Sequence, residues 1–201
     1  MWGGLSSAAR TLPPGSRPIL LGILAAALVL RLALFAALPN LHQADEVYQV
    51  AEQAHRSVHG YGVVSWEFQT AARAAILPTL VKPIYALPLS AGAHQTLAAA
   101  LFAALSLLPI WAAFHWAGRL YGLQGAVIAA VMMATWFELV YFAPKATADA
   151  VCGYLFLAGL FLGRPGAPPG SVFFGGVSLA LALGVRIQIA PAIGLAAWRS
   201  R

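Results

Sequence analysis

Residues 18–38 form an almost unbroken apolar stretch in which Arg31 is the lone charge. A helix needs roughly 20 mostly apolar residues to cross a bilayer, so this stretch makes a membrane the solvent for the first element. A secretory signal would carry an apolar core of only about 7–15 residues, so retention as an anchor is expected. Further apolar runs at roughly 95–117, 121–143, 147–163, 171–185 and 187–199 are separated by Arg119, Lys145, a Gly/Pro-rich turn at 163–170 and Arg186. The pattern predicts an all-α integral membrane bundle of about six spans, with residues 1–201 forming a single membrane domain. Composition agrees: 61% of the chain is hydrophobic and 9% charged, against about 25% charged in an average soluble chain. So few charges cannot clothe a water-borne surface.

Other classes fall away quickly. Cys152 is the single cysteine, so no internal disulfide framework exists. The net charge of +6 comes from basic residues scattered singly, not gathered into a stripe, and nucleic acid is not expected as a partner. No Gly-x-x-x-x-Gly-Lys-Ser/Thr phosphate loop and no Ser-His-Asp order is present. With an inside amino terminus, Arg10, Arg17, Arg119, Arg164, Arg199 and Arg201 fall on the cytoplasmic side. All six carboxylates then gather on the opposite face, which points to a polar site outside the cytoplasm. Arg31 and Glu138, set within apolar segments, are expected to face protein or a water-filled cavity.

Residues 39–92 form the extracytoplasmic loop that carries this polarity. Its densest string runs over 42–56, where Asp45, Gln49 and Glu52 recur at helical spacing, as do Glu52, His55 and His59. The spacing predicts a short amphipathic helix with these groups on one face and Val47, Val50, Ala51 and Ala54 on the other. Toward the end of the loop, Pro78, Lys82, Pro83 and Pro88 suit a broken interfacial or re-entrant segment. His42, Asp45, Glu52 and His55 could also be gathered as a metal site, but their order has no recognised ligand spacing, so no metal ligand is assigned.

The string His42-x-x-Asp45-Glu46-Val47-Tyr48-Gln49-x-x-Glu52-x-x-His55, followed by Gly60-Tyr61-Gly62, Ser65-Trp66-Glu67-Phe68, Arg73 and Pro78, resembles the first luminal loop of glycosyltransferase family 22. Looser likeness extends through 138–149 and 184–188. Two departures stand out: two residues separate His42 from Asp45 where the family usually has one, and Ala rather than Ser follows Arg73. Family members are also about twice as long or more, so the likeness is to their amino-terminal portion, as in a fragment or one half of a split enzyme completed by a second polypeptide.

The resemblance implies a GT-C-type α-mannosyltransferase using polyprenyl-phosphate mannose, with a glycan or glycolipid acceptor at the extracytoplasmic face. It implies Asp45 as general base, assisted by Glu46, and an inverting displacement. A lipid phosphate leaves readily, so one base and cations to receive the phosphate suffice. Arg73, Lys145 and Arg186 are the candidate cations. His42, Gln49, Glu52, His55, Trp66, Glu67, Asp149 and Gln188 complete the expected substrate-binding set, Trp66 by stacking on a sugar face or anchoring at the interface. Lys145 and Asp149, four residues apart, could instead bridge each other. The Ala-rich composition favours a bacterial cytoplasmic membrane over an endoplasmic reticulum, and divalent-metal use stays open. A transporter built around Arg31 and Glu138, or a non-catalytic membrane subunit, are the competing classes.

Overall fold

The computed structural model describes the backbone of residues 12–41 and 43–199, with side chains up to residue 196. Helices alone occur among the described residues, with no strand. The first apolar stretch becomes α1 (Ser16–Ala37). The loop that follows holds a π-helical segment (Glu46–Ala51) running into α2 (Glu52–His59), then α3 (Trp66–Gln69) and α4 (Ile76–Tyr85). Gly60 stops α2 by adopting φ 80°, a left-handed conformation that suits glycine, and its N–H closes the helix on Arg56 O. Val50 and Ala54 of the expected apolar face are buried together with Leu77 and Val81 of α4.

α5 (Ala91–Leu105) opens on Ser90, whose hydroxyl accepts from Ala93 N. α6 (Leu107–Thr135) follows almost directly. Arg31 on α1 shows that α6 is not straight. Its guanidinium donates both to Ser106 Oγ at 2.8 Å, just ahead of α6, and to Ala134 O at 3.0 Å, near its far end. A straight helix would hold those two positions about 40 Å apart. The reversal occurs at Gly122, whose φ of 76° and ψ of −166° break the helix. Ile110 and Phe114 before it share one buried cluster with Ala126, Ala130 and Ala134 after it. Arg31 is itself 0% exposed. It ties α1 to both arms of this hairpin.

α7 (Phe137–Phe142) is separate from α6, which corrects the expected run at 121–143. Trp136 turns extended, with ψ 122°, and its indole N–H donates to Glu138 Oε2 at 2.6 Å. Glu138 thus begins a new short helix instead of lying within a span. α8 (Ala148–Leu162) and α9 (Pro169–Val185) form a second hairpin. It closes on bare backbone: a Cβ at Gly175 would lie 2.6 Å from Gly163 N and 3.0 Å from Gly159 O. Such glycine contacts let helices approach where no water-driven force assembles them. A 3-10 turn (Ile187–Ile189) leads into α10 (Ala190–Arg199).

Among the described residues, two helical stretches are long and apolar enough to cross a membrane: Ser16–Ala37, and Ala91–Thr135, which takes in α5 and α6. The later apolar runs correspond to the shorter helices Ala148–Leu162, Pro169–Val185 and Ile187–Ala196. Val50, Ala54, Leu77 and Val81 of the loop share a buried cluster with Phe102 of α5, Val151 and Cys152 of α8, and Ala182 and Val185 of α9. That packing seats the loop on one end of the bundle.

Candidate active site

The helix expected over the polar string forms, but its first half is a π-helix. Pairing i to i+5 turns each residue through less than the 100° of an α-helix, so the expected single polar face splits. Asp45 and Gln49 look into a narrow crevice with Gln43, Arg73, Thr147, Asp149 and Arg186. Glu46, Glu52 and His55 look into a different cavity, of about 370 Å³, with Asn40, Tyr85, His94 and Lys145. Adjacent carboxylates therefore serve two compartments.

Their surroundings differ in kind. The Asp45 side chain is 53% exposed and lies 3.7 Å from Arg73 Nη2. Glu46 is buried and reaches back so that its Oε1 accepts from Gln43 N at 3.2 Å, the carboxylate half of a capping box. Arg73 is also 3.4 Å from Glu67 Oε1, and Glu67 in turn accepts from Gln49 Nε2 at 2.8 and 2.9 Å. Glu67 turns toward the protein, where it positions Arg73 and Gln49. Trp66 beside it is 68% exposed. Across the crevice, Arg186 Nη2 meets Asp149 Oδ2 at 2.5 Å. Asp149 thus pairs with Arg186, and the alternative of a bridge to Lys145 four residues away is not the one formed. Asp149 instead spans from the start of α8 to the end of α9. Arg186 Nε and Thr147 Oγ1 are buried and find no partner among the described residues.

Lys145 lies elsewhere. It is 4% exposed and donates to both the backbone and side-chain oxygens of Asn40, just beyond the end of α1. Burial pushes its amine below the ordinary lysine value, with the Glu46 carboxylate opposing the shift. Lys145, Phe35, Asn40 and Pro144 line both the cavity of about 370 Å³ and a neighbouring one of the same size walled by Leu30, Leu34, Leu38 and Val140. A buried cation therefore sits where two largely apolar cavities adjoin.

The remaining expected residues scatter. Glu52 Oε1 accepts from Val63 N at 2.7 Å, tying α2 to the turn through Gly62. His55 packs against the His59 and Tyr61 rings, at 4.5 and 5.2 Å between centroids. Gln188 is exposed on the 3-10 turn, and His42 lies outside the described residues. No group of three or more His, Cys, Asp or Glu gathers as a metal site among the described residues. Sequence reasoning missed Asn40, Gln43, Thr147 and Tyr154. Asn40 had one signal, a polar residue directly after Pro39 where the first span stops. All six carboxylates do lie around this one end, for Glu138 and Asp149 line a third cavity. Arg164, beyond the far end of α8, is about 20 Å away along the helix.

Fold and site together define a helical protein with apolar helices of membrane-crossing length, whose 39–92 loop holds a carboxylate and arginine crevice next to cation-bearing apolar cavities. The model of the Alg9-like mannosyltransferase family matches residues 23–165, and the chain belongs to that family. Over 52 residues it is 42% identical to GPI mannosyltransferase 3 of Candida albicans. That stretch is 26% of this chain and spans only 11% of the relative. No solved structure matches the chain.

Proposed function

We propose that this chain carries the catalytic loop of a membrane mannosyltransferase that moves mannose from a polyprenyl-phosphate donor to an acceptor hydroxyl at the extracytoplasmic face. The observation that carries the reading is the division of labour between neighbours. Glu46 is buried and spent on capping, whereas Asp45 is half-exposed at a crevice steadied by Arg73. Asp45 takes the proton of the acceptor hydroxyl as its oxygen attacks the anomeric carbon. The bond from that carbon to the lipid phosphate breaks, and one displacement inverts the configuration. A carboxylate base contributes roughly 10²–10⁴-fold to such a step.

Of the three expected cations, Lys145 suits the departing phosphate best. Arg73 and Arg186 already form ion pairs with carboxylates, while Lys145 is held by the neutral oxygens of Asn40, with Glu46 lining the same cavity, between apolar walls that fit an isoprenoid tail. The name of the Candida relative makes a lipid-borne glycan the favoured acceptor class. The transporter alternative loses one of its two motivating groups, because Arg31 is spent on Ser106, Ala27 and Ala134.

The test is transfer of labelled mannose from polyprenyl-phosphate mannose in membranes that depend on this chain. Asp45→Asn is expected to lower transfer at least about 100-fold with the protein still inserted. Transfer within a few fold of the parent would refute the base assignment.

A further inference from the structure

The end of the bundle away from the loop has no part in the transferase reading, yet the packing gathers cations there. Leu12, just ahead of α1, lies on Gly118 of α6, where an added Cβ would come within 2.8 Å of Leu12 Cδ2. The start of α1 and the end of the first arm of α6 therefore lie together. Gly122 reverses the chain three residues past Arg119, so Arg119 stands at the tip of that arm. Trp111 and His115 set the arm against the end of α8, their rings 5.0 and 5.8 Å from the Phe161 ring. Arg119 follows His115 by one helical turn and so shares its face. Arg164, in the turn after α8, lies with its guanidinium carbon 4.1 Å from the centre of the same Phe161 ring and donates to Phe161 O at 2.8 Å.

Neither arginine meets a counter-charge. All six side-chain carboxylates surround the opposite end, and the ion pairs among the described residues use only Arg73 and Arg186. The Arg119 side chain makes no hydrogen bond among the described residues. Both side chains remain partly exposed, so an anion can reach them. Burial, and then the charge of Arg119, hold the Arg164 guanidinium below its ordinary value, as expected of two cations brought together without an anion. The planar fork of arginine matches phosphate oxygens in particular. Depth along the helices distinguishes a lipid from a soluble phosphate. Trp116 and Tyr121, on the same arm as Arg119, are exposed, and such rings settle at the level of lipid headgroups.

We propose that Arg119 and Arg164 clamp the phosphate of an anionic membrane lipid at the end of the helices remote from Asp45. A basic site between membrane helices selects such headgroups. A choline headgroup carries its own cation beside the phosphate and gains less from two guanidinium groups. The site stands independently of the transferase reading.

The test titrates the full chain, purified in a nonionic detergent, with dioleoyl phosphatidylglycerol and reads bound lipid by native mass spectrometry. Arg119→Gln is expected to weaken binding at least about five-fold, and the double variant with Arg164→Gln at least about twenty-fold. Arg56→Gln removes the same charge from an exposed position on the loop and is expected to leave binding within two-fold. Dioleoyl phosphatidylcholine is expected to bind at least several-fold more weakly, and excess inorganic phosphate to leave the bound lipid in place. Binding unchanged in Arg119→Gln would overturn the proposal, as would an equal loss in Arg56→Gln, which would mean attraction by net charge alone. Equal binding of the choline lipid would overturn it too, and displacement by inorganic phosphate would replace the lipid with a soluble phosphate. Arg164→Gln also removes the bond to Phe161 O, so Arg119→Gln alone decides the matter where the double variant fails to fold.

Discussion

Replacing Lys145 with glutamine tests which cation receives the lipid phosphate. Glutamine keeps an N–H donor for Asn40, so the tie between α1 and the turn before α8 survives in weaker form while the charge disappears. A hydrogen bond between a charged group and its partner is worth about 1.5–3 kcal/mol, and every 1.4 kcal/mol is tenfold in affinity. Lys145→Gln should therefore raise the KM for the polyprenyl-phosphate donor about 10–150-fold and leave the KM for acceptor within a few fold. Acidity supplies a second reading of the same group. Burial holds the Lys145 amine below its usual 10.5. The phosphate-binding form is the protonated one, and it is lost as pH rises through the lowered value. Donor affinity should accordingly begin to fall at a lower pH than an ordinary lysine would allow. Lys145→Arg, always charged, should flatten that fall. The assay is initial-rate transfer in detergent against donor concentration across alkaline pH. A donor KM unchanged in Lys145→Gln, or changed equally by Arg186→Gln, would refute the assignment.

Three further outcomes are expected. Glu46→Ala should lower stability by about 1 kcal/mol through loss of its bond to Gln43 N, seen as a lower thermal midpoint, with kcat within about ten-fold of the parent. Gly175→Val should destabilise by about 1–3 kcal/mol or more, because its Cβ would strike the backbone of Gly163 and Gly159. The neighbouring Gly176→Ala meets open space and should be neutral or slightly stabilising in the same melting experiment. Gly62→Ala should lower the midpoint as well, since φ is 137° there and a Cβ would lie 2.4 Å from Glu52 Oε1.

Much of this protein was legible along the chain. Apolar length marked α1 and the runs at 95–117 and 121–143, which fall largely within Ala91–Thr135, because fitness to cross a bilayer is a matter of local composition. The acidic loop and its resemblance singled out Asp45 as the base to propose, with Glu46 assisting. Gathering the carboxylates at one end also followed from counting charges between spans.

What the chain alone left undecided turns on register and reversal, which depend on contacts between distant segments. A single π-turn, invisible in a periodicity count, parted Glu52 from Asp45 and Gln49, which the α-helical period puts on one face. Gly122 reads like any other glycine in an apolar run until Arg31 is seen holding Ser106 and Ala134 together. The pairing of Asp149 with Arg186, rather than with the nearer Lys145, arises because the α8–α9 hairpin brings one helix start against the other helix end. Local spacing can propose partners for a charge, but the packed backbone decides which of them lies within hydrogen-bond reach.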